Sequence, residues 1–280
     1  MSINKKKIYL RMIGGLGNQL FSYSYARSLA EETGRKLVLD ITTGFTNDPY
    51  KRQPRVKSFL VRYSEALIFD KIKFFLTKLL PKTSALILNY LYCKEFDSRR
   101  FQSCDLEDIK GVKILFIEGY FQSYLYFGKY NELIKDEIKL NINKSPEIID
   151  LSEKIADCNS VSIHLRRIDY DSKLDIQYYI DAIELIKKKT KNPHFFIFSD
   201  DIQWCIENLF FLKQKTFITH DSKDEVVDLW LMTQCKHFII ANSSFSWWGA
   251  WLAKFDNKTI IAPKSTQIGV INSLYPTSWI

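Results

Sequence analysis

Glycine and proline are scarce in this chain, 10 and 7 among 280 residues, and that excludes collagenous, low-complexity and disordered architectures. Cysteine is scarce too: the five (Cys93, Cys104, Cys158, Cys205, Cys235) are odd in number, and none falls in a Cys-x-x-Cys pair. They offer neither a disulfide framework nor a zinc signature, and read as free thiols in a reducing cytoplasm. Long apolar runs are missing as well. The longest stretch without Asp, Glu, Lys or Arg, His237 to Ala253, contains Asn242, Ser243, Ser244, Ser246 and Gly249. A membrane-spanning helix takes about 20 predominantly apolar residues. After Lys5 to Lys7, Arg11 and the run Gly14-Gly15-Leu16-Gly17-Asn18-Gln19 interrupt the apolar stretch where a signal peptide keeps its hydrophobic run. That stretch reads as a first strand.

What is present is a globular composition, 46% hydrophobic and 26% charged, in a length that suits two compact lobes or one large one. Lys and Arg number 40 against 32 Asp and Glu, a formal charge of +8. Such a balance admits nucleic acid, an anionic membrane surface or a phosphate-bearing small molecule as partner. No helix-turn-helix, RNP or zinc-finger pattern occurs, so no nucleic-acid partner is expected.

Along the chain, Lys7 to Ile13 predicts a strand, a Gly-rich turn opens a helix from Asn18 to about Glu32, Gly34 ends it, and Lys36 to Asp40 predicts a second strand. Residues 41 to 58 read as a loop. The stretch Phe59 to Cys93, broken by Pro81, predicts two amphipathic helices, which either pack on the lobe or, with Lys71, Lys73 and Lys78 alongside, lie on a membrane surface. Lys113 to Glu118 predicts a strand running into Gly119-Tyr120-Phe121-Gln122-Ser123, and a polar helical region follows to about Asp157. An Asn/Lys-rich stretch meeting Ser145-Pro146 sets the expected lobes at 1–145 and 146–280.

The second half alternates clearly. Strands are expected at Ser160 to Leu165, His194 to Ser199, Thr216 to Thr219, His237 to Ala241 and Lys258 to Ala262. Helices are expected at Ile176 to Lys189, Asp201 to Leu209, Asp224 to Gln234 and Ser244 to Phe255. This alternation implies an α/β lobe with a parallel sheet covered on both faces. Ligands of such sheets bind at the carboxyl ends of strands.

Four constellations stand at those ends. Gly14-Gly15-Leu16-Gly17-Asn18-Gln19 lets the backbone turn sharply and approach a ligand at a helix N-terminus. It is not the dinucleotide fingerprint, because Leu20 holds the place of the last glycine. Asn18 offers an amide able to donate to and accept from a sugar hydroxyl. In His164-Leu165-Arg166-Arg167-Ile168-Asp169, two guanidinium groups suit a diphosphate, with Asp169 able to hold one of them in place; His164 also fits a satisfied core histidine. In Phe198-Ser199-Asp200-Asp201, Asp201 suits a helix cap, and the acid pair also suits a divalent cation. In Ala241-Asn242-Ser243-Ser244-Phe245, a strand breaks into a helix start with free amides and hydroxyls, an anion site; the Trp247, Trp248 and Trp251 stripes that follow read as core. Asp228, midway along an apolar helix, is costly unless paired, and a guanine edge would satisfy it.

These four motifs, in this order and over nearly the whole chain, resemble those of the bacterial α-1,2-fucosyltransferases of glycosyltransferase family 11. The resemblance implies a GT-B-like pair of Rossmann-type lobes: an N-terminal acceptor lobe, a C-terminal donor lobe and a donor cleft between them. It implies inverting transfer from GDP-β-L-fucose to the 2-hydroxyl of a galactose-type residue, with no metal and no further cofactor. On that resemblance Arg166 binds the β-phosphate, His164 and Asp228 read guanine, and Ser243, Ser244 and Phe245 hold the diphosphate, with Arg167 and Asn242 also counted among the donor-binding residues. Asn18 then sits beside the transferred sugar as a catalytic candidate, and Gly15 and Gly17 are donor-binding candidates. Asp169, Asp40 and Glu118 are alternatives for the base that takes the acceptor's proton. The acceptor is expected to be a galactose-terminated oligosaccharide or a lipid-linked glycan of surface polysaccharide or O-antigen synthesis. The expected location is the cytoplasm, with peripheral attachment to the inner face of the membrane as an option.

Overall fold

A computed structural model describes residues 6–80, 89–95, 109–140, 144–168, 173–222, 224–263, 274–276 and 278–280. The chain divides into two compact units, Met1–Lys139 and Leu140–Ile280, a few residues before the Ser145-Pro146 junction.

In the N-terminal unit, β1 (Lys7–Arg11), β2 (Lys36–Asp40), β3 (Ser64–Glu65), β4 (Tyr90–Glu95) and β5 (Ile114–Gly119) form a wholly parallel sheet in the order β3-β2-β1-β5-β4. Helix α1 (Leu16–Thr33) starts on the Gly-rich turn and stops at Gly34, whose φ of 62° lets its amide bond back to the carbonyls of Ala30 and Glu31. Helix α2 (Ile68–Leu79) follows β3, and α3 (Asn131–Glu137) closes the unit. Tyr9, Phe74 and Phe116 pack together as the aromatic centre of one face of the sheet.

One expectation is corrected here. The first of the two helices expected within Phe59 to Cys93 is α2, but the end of that stretch enters β4, paired with β5 from Tyr90↔Ile114 to Glu95↔Gly119. An apolar run this short fits either state in isolation, and pairing with the buried β5 decides it. Residues 81–88 lie outside the described residues. The polar helical region before Asp157 is two helices, α3 and α4 (Pro146–Ala156).

In the C-terminal unit, β6 (Asn159–Leu165), β7 (Pro193–Ser199), β8 (Lys215–Phe217), β9 (His237–Ile239) and β10 (Ile260–Ile261) are parallel in the order β10-β9-β6-β7-β8. One face is covered by α5 (Ile176–Lys189) and α6 (Ile202–Asn208), which bury Tyr179, Ile183, Ile186, Cys205 and Leu209 against Ile163 and Leu165. The other is covered by α4, α7 (Glu225–Gln234) and α8 (Ser244–Leu252), packed on Phe196, Phe198 and Phe238. The caps follow from sequence: Asp175, Asp201, Asp224 and Ser243 each accept the first free amides of α5, α6, α7 and α8. Lys187, Lys188 and Lys189 fill the last turn of α5, where cations complement the helix dipole. Helix α8 ends three residues before the expected Phe255, because the Lys258 ammonium donates to the terminal carbonyls of Ala250 and Ala253. Trp247 and Trp248 are buried core, and the Trp247 indole donates to the Leu274 carbonyl at 2.9 Å.

Both sheets reverse strand order, the N-terminal one between β1 and β5 and the C-terminal one between β6 and β9. In open parallel sheets ligands bind at the carboxyl ends flanking such a reversal. Among the described residues, no helix is long and apolar enough to cross a membrane.

Candidate active site

At the switch point of the N-terminal unit, the turn after β1 meets the turn after β5. Gly14 has φ 77°, and a Cβ there would stand 3.0 Å from the Tyr120 ring and 3.3 Å from the Asn18 side chain. Glycine is therefore needed for the turn and for the approach of its neighbours. Gly15 is the N-cap of α1 and Gly17 lies in its first turn. Gln19, fully buried, donates to the carbonyls of Gly14 and Gln53 at 2.9 Å and accepts the Arg55 amide at 2.8 Å, so it fastens the turn to the following loop. The Gln122 amide donates to Asn18 Oδ1 at 2.6 Å, fixing which way Asn18 presents its NH₂ group. Gln122 follows Phe121, a non-glycine residue at φ 49°. Sequence reasoning gives neither Gln19 nor Gln122 a role; the available signal was their place in the glycine-bearing turns after β1 and β5.

Asp40 and Glu118, two of the three alternatives for a base, are saturated with donors. Asp40 accepts from Tyr9, Thr42 and Thr43, and Glu118 from Arg11, Lys78 and Tyr92. Burial alone would raise both carboxyls, but these hydrogen bonds outweigh it and hold both below the ordinary value. Both carboxylates are anchors of the sheet's carboxyl edge and weak proton acceptors. Asp169, the third, lies outside the described residues, together with residues 170–172.

At the switch point of the C-terminal unit, β6 delivers His164 and then Arg166, and β9 leads into Asn242 and the start of α8. Period-two alternation turns Ile163 and Leu165 to one face and His164 to the other, where its ring lies 5.5 Å from that of Phe245. His164 is buried, and its Nδ1 has no hydrogen-bond partner among the described residues. Burial, helped by the charge of Arg166, pushes its pKa down to about 3. It is therefore a neutral, unsatisfied ring rather than a satisfied core histidine. An orphan of this kind costs about 1–3 kcal/mol until a ligand supplies the partner.

Arg166 Nη1 lies 3.2 Å from Asp200 Oδ2, and the same carboxylate accepts the backbone amides of Arg167 at 2.7 Å and Ile168 at 3.2 Å. The acid that orders this loop is thus Asp200. Asp201 caps α6 by accepting the Trp204 amide at 3.0 Å. The two acids divide between loop and helix, and no group of three or more metal-ligating side chains occurs among the described residues. Arg167 is directed elsewhere than Arg166. Its guanidinium lies 3.9 Å over the Trp204 ring and donates to the Leu174 carbonyl.

At α8 the Ser243 hydroxyl accepts the Phe245 amide, and Ser243, Ser244 and Phe245 are half-buried beside buried Asn242. Asp228, on α7, is already paired. Its Oδ1 lies 3.0 Å from His220 Nε2, and His220 Nδ1 lies 2.7 Å from the Ser222 hydroxyl. Burial raises the Asp228 carboxyl despite the attraction of His220. Sequence reasoning missed His220, since a contact from a loop to a helix eight residues on has no periodic signature. The structure thus joins His164 to Phe245 and Arg166 to Asp200, whereas Asp228 meets His220.

Two parallel-sheet α/β units, with glycine turns, an ordered arginine and a serine-capped helix at their switch points, define a GT-B-like glycosyltransferase. The chain belongs to glycosyl transferase family 11, whose family model matches residues 7–280. It is 35% identical over 272 residues to an α-1,2-colitosyltransferase of Escherichia coli, covering 91% of each protein. It is 29% identical over 304 residues to the O-antigen biosynthesis glycosyltransferase WbnK of Escherichia coli, covering 98% of this chain and 99% of that one. The crystal structure of the fucosyltransferase NodZ from Bradyrhizobium shares the fold, with a TM-score of 0.57 at 16% identity over 91% of this chain and 96% of that one.

Proposed function

We propose that this protein transfers L-fucose from GDP-β-L-fucose, with inversion, to the 2-hydroxyl of a galactose-type residue on a surface-polysaccharide or O-antigen glycan. The observation that carries the reading is the Asp200-ordered Arg166 beside the orphaned His164 and the capped start of α8. The four-motif resemblance supplies the donor, and the names of the two Escherichia coli relatives support the α-1,2 linkage and the O-antigen setting.

In this mechanism the bond from the anomeric carbon to the β-phosphate oxygen breaks, its electron pair leaves with GDP, and the acceptor's 2-oxygen bonds to the opposite face of the sugar. Charge builds on the departing phosphate, where a fixed guanidinium lowers the barrier. Arg166 takes that part, because Arg167 is spent on Trp204. Ser243, Ser244 and the amides at the start of α8 hold the diphosphate, with Asn242 behind them. His164 meets the guanine, where a base edge satisfies the orphaned Nδ1, and Asp228, held by His220 through Oδ1, is assigned to guanine on the family resemblance alone. Within the N-terminal unit, Gln122 orients Asn18, the residue that the family resemblance assigns to the transferred sugar, and Gly15 and Gly17 open the same turn. Asp169 is the acid we carry forward as base, since Asp40 and Glu118 are held at low basicity by their donors. No metal is assigned: Asp200 and Asp201, the acid pair suited to a cation, are engaged by Arg166 and by the cap of α6.

The 35% identity to a colitosyltransferase favours one second reading. Colitose is L-fucose without its 3-hydroxyl, so one pocket outline serves both, and a partner for that hydroxyl separates them. The test is turnover with GDP-fucose and with GDP-colitose on β-galactoside acceptors in EDTA, with product linkage read by NMR. Preferential formation of an α-1,2-fucosyl galactoside supports the first reading, and preference for GDP-colitose the second. Binding of GDP sugars with no transfer to any acceptor would leave a non-catalytic nucleotide-binding protein.

A further inference from the structure

Helix α2 is built the wrong way round for a helix whose only neighbour is its own sheet. At 100° per residue, Asp70, Phe74 and Thr77 share the face turned to the unit, and all three are buried. The opposite face carries Ile68, Phe69, Ile72, Phe75, Leu76 and Leu79, exposed by 64%, 70%, 48%, 43%, 56% and 82%. A solvent-facing helix side is normally polar. Here the polar residues stand only at the borders, with Lys71 and Lys78 along one edge, bent back to Thr42 and Glu118, and Lys73 along the other. The acid Asp70 points inward to Lys7 at 3.0 Å, so α2 presents no carboxylate outward.

We propose that this face of α2 is a membrane-docking surface that seats the N-terminal unit on an anionic bilayer. An apolar face with a basic border is the chemistry of an interfacial helix: the apolar side chains enter the acyl boundary, and the Lys73 stem reaches back to the headgroups. Charge complementarity selects the occupant, because the chain carries +8 overall and α2 turns Lys73 and no acid toward the apolar border, while Lys78 and Lys71 are engaged by Glu118 and Thr42. A second copy of this chain would bring two chains of net charge +8 together. The inference stands apart from the identity of the donor sugar. Its consequence is that an acceptor held by a lipid anchor is met at the bilayer.

The test is flotation of the full chain with vesicles of phosphatidylcholine, with and without 30 mol% phosphatidylglycerol, for the wild type and for the double variant Ile72→Glu/Leu76→Glu. The wild type is expected to float with the anionic vesicles at least about tenfold better than with the neutral ones. The variant is expected to lose at least about tenfold of that binding with Tm and GDP-sugar affinity unchanged. A second readout uses Phe75→Trp, whose emission is expected to shift to the blue on anionic vesicles. Equal flotation of wild type and double variant would overturn the proposal. So would a concentration-dependent dimer that the double variant abolishes, or a fall in Tm showing that the face is packed within the chain.

Discussion

Asp200 receives the Arg166 guanidinium and the amides of Arg167 and Ile168, while its neighbour Asp201 receives only the amide that starts α6. Arg166→Ala is expected to lower kcat by about 10²–10³, the cost of removing one fixed donor from a developing negative charge. Asp200→Asn weakens a charge-assisted contact that orients the guanidinium, and a loss of about 10–100-fold in kcat with little change in KM is expected from steady-state kinetics. His164 adds a pH dependence. Its pKa is near 3 folded and 6.5 unfolded, so the unfolded chain binds the extra proton. The stability contributed by the neutral ring is fully present above pH 6.5 and is lost as pH falls from 6.5 toward 3. Melting between pH 7.5 and 5 is therefore expected to show a fall in Tm that His164→Asn reduces. The residue types of this site were legible: His164, Arg166 and Ser243 stand out as strand ends and a helix start. Their partners were not. Asp200 and Asp201 are adjacent identical acids, and only the fold shows that one faces the β6 loop and the other the α6 amides.

At the scale of elements, the caps and glycine contacts make separable claims. Asp201→Ala removes the cap of α6 and is expected to cost about 0.5–2 kcal/mol of stability, seen as a lower Tm, while GDP binding is retained. Gly119 ends β5, and a Cβ there would fall 1.9 Å from the Glu95 carbonyl oxygen of the paired β4. Gly119→Ala must part the two strands, and a loss of about 1–3 kcal/mol or more is expected in urea unfolding. The helices and strands of the second half were readable because β6 and β7 carry buried apolar runs and α5, α6, α7 and α8 each begin at a capping Asp or Ser. Strand β4 was not, since Tyr90-Leu91-Tyr92-Cys93 has no period of its own and takes its state from β5. The outward apolar face of α2 was visible as amphipathicity, but its direction was not. Periodicity says that two faces differ and leaves open which one meets the sheet.

For the whole molecule, the two units repeat one plan: a parallel sheet whose strand order reverses beside its first strand, with the working residues on the loops at that reversal. The sequence motifs lie at those loops because only there do backbone amides and strand-end side chains stand clear of both covering layers of helices. On the proposed function, the C-terminal unit takes a GDP sugar through Arg166. Calorimetric titration of the full chain with GDP-fucose, GDP-mannose, UDP-galactose and CMP-sialic acid in EDTA, for the wild type and Arg166→Ala, tests it most directly. Binding confined to the GDP sugars and weakened at least about tenfold by the substitution is the expected result. No binding of any GDP compound, or equal binding by the variant, would contradict it.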